Sequence, residues 1–414
     1  MYFLYRIIFN IVLILSPLIF LVRLLKKKET LTSYKQKICL LNKRRQKGKL
    51  IWFHGASVGE IKSVIPIIEK LELNYEFKQI LITSNTISSL EIINNLKLKK
   101  TVHQFFPIDA NLLSNKFINF WKPSKVIFID SEIWPNTLQN LNRRKIPVIL
   151  LNARITKKTF KRWMLFKMFA KKIFSYFSVC YPANQETKNY LKNFNVKKIK
   201  FFGNIKYAQS NKEIGFTNNN LRKKIKYNRN IWCAASTHYD EEIICGRAHL
   251  GLKSKTRNLL TIIIPRHIER TEQIKDDLEK LDLKVTITKD FKDPSLDTDI
   301  MIVKAYGKTS LFFENSPIVF LGGSLINHGG QNPLEATRSG SNIIHGPNVQ
   351  NFREIYNFLN KLKISHKVTN EKKLILKLVE LFKKKNRSIN KHRKLKSIGR
   401  KILTAYYNDV ILKQ

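Results

Sequence analysis

Residues 51–62 read I-W-F-H-G-A-S-V-G-E-I-K, and the fold class is decided there. A short apolar run, 50–53, gives way to two glycines, Gly55 and Gly59, that bracket Ser57. Beyond them Ile61, Val64, Ile65, Ile68 and Leu71 recur at helical spacing. The order is strand, tight loop, helix, with Glu60 in the first helical turn at the carboxyl end of the strand. Ligands of open α/β sheets bind at such strand ends. The spacing admits two readings of Glu60. Ser57-Val58-Gly59-Glu60 fits the S-x-x-E capping box, in which the serine takes the third helical amide and the acid reaches back. A catalytic reading needs a carboxylate able to take a proton from a hydroxyl. The helix dipole holds such a pKa down, so burial or a second carboxylate has to raise it.

Outward from this stretch the alternation repeats. Strand-like runs at 79–83, 102–106, 125–129, 147–151, 178–181 and 199–202 are separated by helical patterns, the signature of a mainly parallel sheet wrapped by helices. A polar, charged stretch at 211–230 reads as a linker. A second series follows at 231–235, 259–264, 284–288, 299–303, 318–321 and 342–344, and basic helical patterns close the chain from about Glu371. With 414 residues, two Rossmann-like α/β domains are expected, at 29–210 and 231–414, facing across a cleft.

Residues 2–25 are apolar apart from Arg6, Asn10, Ser16, Pro17 and Arg23, and Lys26, Lys27 and Lys28 follow. Residues 1–28 therefore read as a membrane anchor. A spanning helix is the first expectation and an interfacial helix the second; the lysines keep the following domains on the cytoplasmic side. No small-residue cleavage site follows. The formal net charge of +46 favours anionic partners. The lysines are scattered and no interleaved aromatic–basic motif appears, so nucleic acid is not expected. Four cysteines, with no C-x-x-C pair, indicate neither zinc nor disulfides. Asp297-Thr298-Asp299 precedes a strand and reads as a turn; no metal is required.

A second acid, Glu132 in Asp130-Ser131-Glu132-Ile133-Trp134-Pro135-Asn136, again stands just past a strand end, on the same sheet edge as Glu60. A helix-start acid explains it locally, but two carboxylates on one edge share a field that raises one pKa. Leu151-Asn152-Ala153-Arg154 and Gly203-Asn204-Ile205-Lys206 each place a cation near that edge. Arg154 and Lys206 are candidates for binding or stabilising negative charge. In the second half, Arg266 and His267 follow a strand and suit a phosphate. Gly322-Gly323-Ser324 and His328-Gly329-Gly330-Gln331-Asn332-Pro333-Leu334-Glu335 form a glycine-rich turn into a helix, with Pro333 at its first position, where amides bind phosphate. Glu335 is placed to accept from ribose hydroxyls. No G-x-G-x-x-G or P-loop is present.

Together these motifs resemble the 3-deoxy-D-manno-octulosonic acid (Kdo) transferases of lipopolysaccharide synthesis, GT-B glycosyltransferases with an N-terminal anchor. H-G-A-S-V-G-E, S-E-I-W-P-N, L-N-A-R, G-N-I-K, A-A-S-T-H, P-R-H-x-E-R, G-G-S-L and G-G-Q-N-P-L-E occur in order along the chain. The resemblance implies transfer of Kdo from CMP-Kdo to lipid IVA with inversion, at the inner membrane, without a cofactor. It implies Glu60 as proton acceptor, assisted by Glu132 and Lys206. It places CMP against Arg266, His267, the turn Tyr306-Gly307-Lys308, and Asn332, Pro333, Leu334 and Glu335. In that turn Lys304-Ala305-Tyr306-Gly307-Lys308 stands where many relatives are acidic, and Gln331 stands where His is common. No oligomeric state is implied. Two other readings stay open: a GT-B transferase of another nucleotide sugar, and a non-enzymatic basic protein of membranes or nucleic acid.

Overall fold

The computed structural model describes every residue except 209–228, 290–293, 306, 308, 385–388 and 413–414. Most of the expected linker falls outside the described residues, as do Tyr306 and Lys308. The chain divides into two compact units: Met1–Gln209 with Ile398–Gln414, and Ser210–Ser397.

In the first unit six parallel strands form one sheet: β1 (Leu50–His54), β2 (Gln79–Ser84), β3 (Thr101–Phe105), β4 (Lys125–Ile129), β5 (Val148–Ala153) and β6 (Val179–Pro182). Their order is β3-β2-β1-β4-β5-β6. Every residue of β1, β2, β4 and β5 is buried, as expected for strands covered on both faces. Side chains alternate between two cores: Leu50 and Trp52 join one, Ile51 and Phe53 the other. The run 199–202 does not make the expected strand; it contributes one isolated bridge, Cys180 to Ile199. All four cysteines are buried and free.

The last residues also depart from expectation, since they return to the first unit. Ile402, Tyr406, Val410 and Ile411 fill the core on the Ile51 face. Tyr181 Oη donates to Asp409 at 2.7 Å and Lys200 pairs with the same carboxylate. The buried Lys125 Nζ donates to the Val410 carbonyl at 2.9 Å. These bonds satisfy polar groups that burial would otherwise leave unpaired.

The second unit holds seven parallel strands: β7 (Asn230–Thr237), β8 (Leu259–Pro265), β9 (Val285–Thr288), β10 (Ile300–Val303), β11 (Ile318–Leu321), β12 (Asn342–His345) and β13 (Ser365–Lys367), ordered β13-β12-β11-β7-β8-β10-β9. The short β13 was not expected. Asp299, from the D-x-D, sits beside β10 and is held by His249, Lys253 and the Lys284 amide.

Candidate active site

In the first sheet the strand order reverses between β1 and β4. Such a reversal opens a crevice, because successive crossovers leave in opposite directions. Glu60 follows β1 and Glu132 follows β4, so the two acids flank the crevice.

The capping box at Glu60 forms. Ser57 Oγ accepts from the Glu60 amide at 3.4 Å, and Glu60 Oε2 accepts from the amides of Ala56 at 2.6 Å and Ser57 at 3.3 Å. The side chain is thus turned toward its own loop through one oxygen. Its other oxygen takes no hydrogen bond among the described residues. Burial, then the charges of Glu132 and Asp130, push the carboxyl up to about 7 against the opposing amides. Capping and proton uptake are therefore compatible: the amides fix the orientation, while the surroundings set the basicity.

Glu132 is not held as a helix-start acid. The helix begins at Pro135, and Glu132 lies in the turn before it. Two aromatic donors hold its Oε2: the ring nitrogen Nε2 of His54 at 3.0 Å and the Trp134 indole N–H at 2.9 Å. Burial alone would raise this carboxyl, but the bonds and charge of His54 and the Trp134 N–H bring it below the ordinary value. His54 is fully buried, stacked on Phe106 at 3.8 Å between ring centroids, with Nδ1 3.0 Å from Thr83 Oγ1. The neighbouring acids are thus split, one kept charged and the other held near neutrality.

Lys206 is present at this edge, paired with Asp130 and not with Glu132. Its Nζ donates to Asp130 Oδ2 at 2.5 Å, and the Asn152 amide donates to Oδ1. Asn152 in turn accepts from the Ile205 amide. Asp130 and Asn152 both have positive φ, +57° and +56°, which turns their short side chains toward each other at the ends of β4 and β5. Arg154 borders this group: its amide donates to the Asp130 carbonyl, and its carbonyl accepts from Ser131 Oγ. His54, Asp130, Asn152 and Trp134 carry no spacing signal of their own, although all lie inside the quoted motifs.

In the second sheet the order reverses at β7, which has β11 on one side and β8 on the other. Arg266 and His267 follow β8 and are exposed; His267 Nδ1 lies 3.2 Å from Glu269 Oε1. Beside them is His238, the last residue of the A-A-S-T-H motif, to which the sequence assigned no role of its own. It is buried, its ring tilted 39° against that of His328 at 4.1 Å between centroids, and its Nε2 has no hydrogen-bond partner among the described residues. Burial, and then His328, His267, Arg266 and Arg270, lower its pKa to about 4. Three imidazoles and two guanidiniums make this edge receptive to an anion. The loop amides are not the donors: Glu241, fully buried, accepts from the amides of His238, Gly323, Ser324 and Leu325.

The expected helix after Asn332 is one turn, Leu334–Arg338, with Pro333 at its cap instead of its first position. A helix this short sums few peptide dipoles. Pro333 and Leu334 are buried, so Asn332 and Glu335 supply the polar groups of this segment. Asn332 Oδ1 accepts from the Leu334 amide, while Glu335 Oε1 accepts from the hydroxyls of Thr309 at 2.6 Å and Ser310 at 3.0 Å. A pair of hydroxyls at that carboxylate has the pattern of a ribose diol. Gly307 is exposed with φ +76°, a backbone conformation that favours glycine. Among the described residues no cluster of His, Cys, Asp and Glu could hold a metal ion.

Comparison with known proteins follows the same division. Residues 32–209 match the family described as 3-Deoxy-D-manno-octulosonic-acid transferase (kdotransferase). The 3-deoxy-D-manno-octulosonic acid transferase of Rickettsia felis is 34% identical over 339 residues, covering 81% of this chain and 72% of that one. That of Haemophilus influenzae is 32% identical over 312 residues, covering 75% and 73%. Among solved structures, a glycosyltransferase from Rickettsia africae covers 88% of this chain and 99% of its own, with a TM-score of 0.58 at 14% identity. The UDP-GlcNAc 2-epimerase of Neisseria meningitidis gives 0.59 at 13% identity over 88% and 98%. At these identities the structures share the fold, two Rossmann-like domains of the GT-B kind.

Proposed function

Because the chain belongs to the family of 3-deoxy-D-manno-octulosonic acid transferases, which are glycosyltransferases, we propose that it moves Kdo from CMP-Kdo to lipid IVA, in lipopolysaccharide synthesis at the cytoplasmic side of the inner membrane. Glu60 takes the proton of the acceptor's primary hydroxyl. The freed oxygen pair attacks the anomeric carbon opposite the phosphate, the bond to phosphate breaks, and CMP departs with that electron pair. The configuration inverts because entry and departure are on opposite faces. Glu132 stays ionised and maintains the field that keeps Glu60 basic. Lys206, oriented by Asp130, offers a positive charge to the Kdo carboxylate or to the developing anion. Arg154 lends further positive charge to the same anions. In the second unit Arg266, His267 and His238 receive the phosphate, and the exposed glycine turn at Gly307 lies against CMP. Asn332 and Glu335 hold the ribose, with Glu335 exchanging Thr309 and Ser310 for the two ribose hydroxyls.

The observation that carries this reading is a carboxyl at the β1–β4 reversal, held by two amides yet raised to about 7. An alcohol is activated best by a base whose pKa lies near the working pH. The test is incubation of the full chain with CMP-Kdo and lipid IVA, with products weighed by mass spectrometry. Masses increased by whole Kdo units are expected, together with protection against heat by CMP and not by UDP. Transfer from a UDP-sugar, with protection by UDP alone, would replace the donor assignment.

A further inference from the structure

The N-terminal helix, Tyr2–Leu25, has 24 residues and an overwhelmingly apolar sequence. At about 1.5 Å per residue it is about 36 Å long, enough to cross a hydrocarbon layer of about 30 Å. Its contacts contradict that use, because one stripe is fastened to the first unit from end to end. Tyr2 Oη donates to the Pro135 carbonyl at 2.6 Å and Tyr5 Oη to the buried Asp109 at 2.8 Å. Arg6 donates to Gln139 at 2.9 Å. Phe9 stands edge-on to Trp134, Phe20 stacks on Tyr34 at 4.4 Å, and Arg23 pairs with Glu29 at 3.1 Å. The spacing of these residues is that of a single helical face.

The opposite stripe is apolar and open to solvent: Phe3, Ile14 and Leu25 are 77%, 75% and 76% exposed. It continues past the start of the helix onto neighbouring surface. Leu165, Phe166 and Met168 are exposed there, and Met1, Tyr2, Met168 and Phe169 line an open hollow of about 580 Å³ bordered by Lys171 and Lys172. Lys26, Lys27 and Lys28 lie at the other end of the helix. An apolar stripe with cations at both ends complements an anionic bilayer surface. A helix tied at both ends to one folded unit cannot span without breaking those bonds or drawing the domain into hydrocarbon.

We infer that the Tyr2–Leu25 helix is an in-plane anchor, lying along the anionic bilayer with its exposed stripe in the lipid and its other stripe on the catalytic domain. The Phe9–Trp134 contact then holds Glu132, which Trp134 bonds, within two side chains of the membrane surface. That closeness to a lipid acceptor rests on the proposed function; the topology does not.

The test is label depth. Spin labels on cysteines replacing Phe3, Ile14 or Leu25, one at a time, are placed in the full chain on vesicles of phosphatidylethanolamine and phosphatidylglycerol. All three sites are exposed, so folding is spared. An in-plane helix gives three similar, shallow depths. A deep label at 14 between shallow ones at 3 and 25 overturns the inference in favour of a span, and three water-exposed labels overturn it altogether. Charge reversal of Lys171 and Lys172 to Glu should weaken vesicle binding at least tenfold; unchanged affinity would remove the electrostatic part of the docking surface. A failed transfer assay with shallow labels would count against the substrate alone.

Discussion

Replacing Glu60 by Gln separates its cap from the proton transfer proposed for it. Gln keeps an oxygen for the Ala56 and Ser57 amides, so the cap survives, whereas the proton acceptor is lost. A folded-state pKa of about 7 against an ordinary 4.5 means that the native protein binds more protons between those values. The stabilisation is complete below about 4.5 and is lost as pH rises through 7. The shift corresponds to about 3 kcal/mol. Gln never ionises, so the stability advantage of the variant should be near zero at pH 4.5 and grow toward that value by pH 8. For a unit of this size the thermal midpoint would separate by roughly 6–12 °C. Turnover at pH 8 should meanwhile fall by about 10²–10⁴, and wild-type activity should rise with pH until about 7 and then level. Melting scans of both proteins across pH, run beside transfer assays, read both effects. A stability difference independent of pH would refute the raised pKa, and retained turnover would refute the base.

Four more expectations follow from neighbouring contacts. His54→Gln removes the imidazole from Glu132, so Glu132 neutralises more easily and Glu60 loses repulsion; the acid limb of the pH–rate profile should move to lower pH. Lys206→Met leaves a buried carboxylate at Asp130 and should cost about 3–5 kcal/mol in chemical denaturation, with part recovered when Asp130→Asn is added. His238→Phe keeps the ring contact with His328 but loses the unpaired Nε2; calorimetry should show CMP binding weakened by about 1.5–3 kcal/mol if that nitrogen meets the phosphate. In Gly322→Ala the new methyl would stand 2.5 Å from the Ser236 carbonyl oxygen and 2.6 Å from Thr237 Cα. The loop must shift, and heat protection by CMP should fall while the melting of the first unit stays unchanged.

What the sequence made legible was local. The run 50–53, the glycines and S-x-x-E specify strand, loop and helix, and each later strand repeats that grammar. Adjacency across the sheet is another matter. β1 is buried at every position, so it has no polar alternation to say which face His54 serves, and its Glu132 partner is 78 residues away. Lys206 was legible as a cation near the edge, but its pairing with Asp130, 76 residues off, depends on β4 and β5 lying side by side. The C-terminal helix shows apolar residues at Ile398, Ile402 and Tyr406, which announces a buried face without saying which domain buries it. The N-terminal helix is the sharpest example. Composition favours a span, whereas Tyr5 and two of the interruptions of the apolar run, Arg6 and Ser16, are its fastening points.

The overall charge and the field acting on Glu60 have opposite signs. The chain carries +46, yet Glu60 faces Glu132 and Asp130, whose negative field raises it. Exposed lysines are screened beyond about 8 Å at physiological salt, so distant cations do little to a half-buried carboxyl. The buried neighbours Glu132 and Asp130 act through a lower dielectric and are felt more strongly. Long-range attraction of anionic substrates and local basicity are thereby set independently. Adding a surface lysine should change the salt dependence of substrate capture and leave the pH midpoint of turnover in place. Neutralising Asp130 or Glu132 should do the reverse and lower that midpoint. A surface charge that moved the midpoint as far as Glu132→Gln would show that the site is open to solvent and its basicity is not set by its buried neighbours.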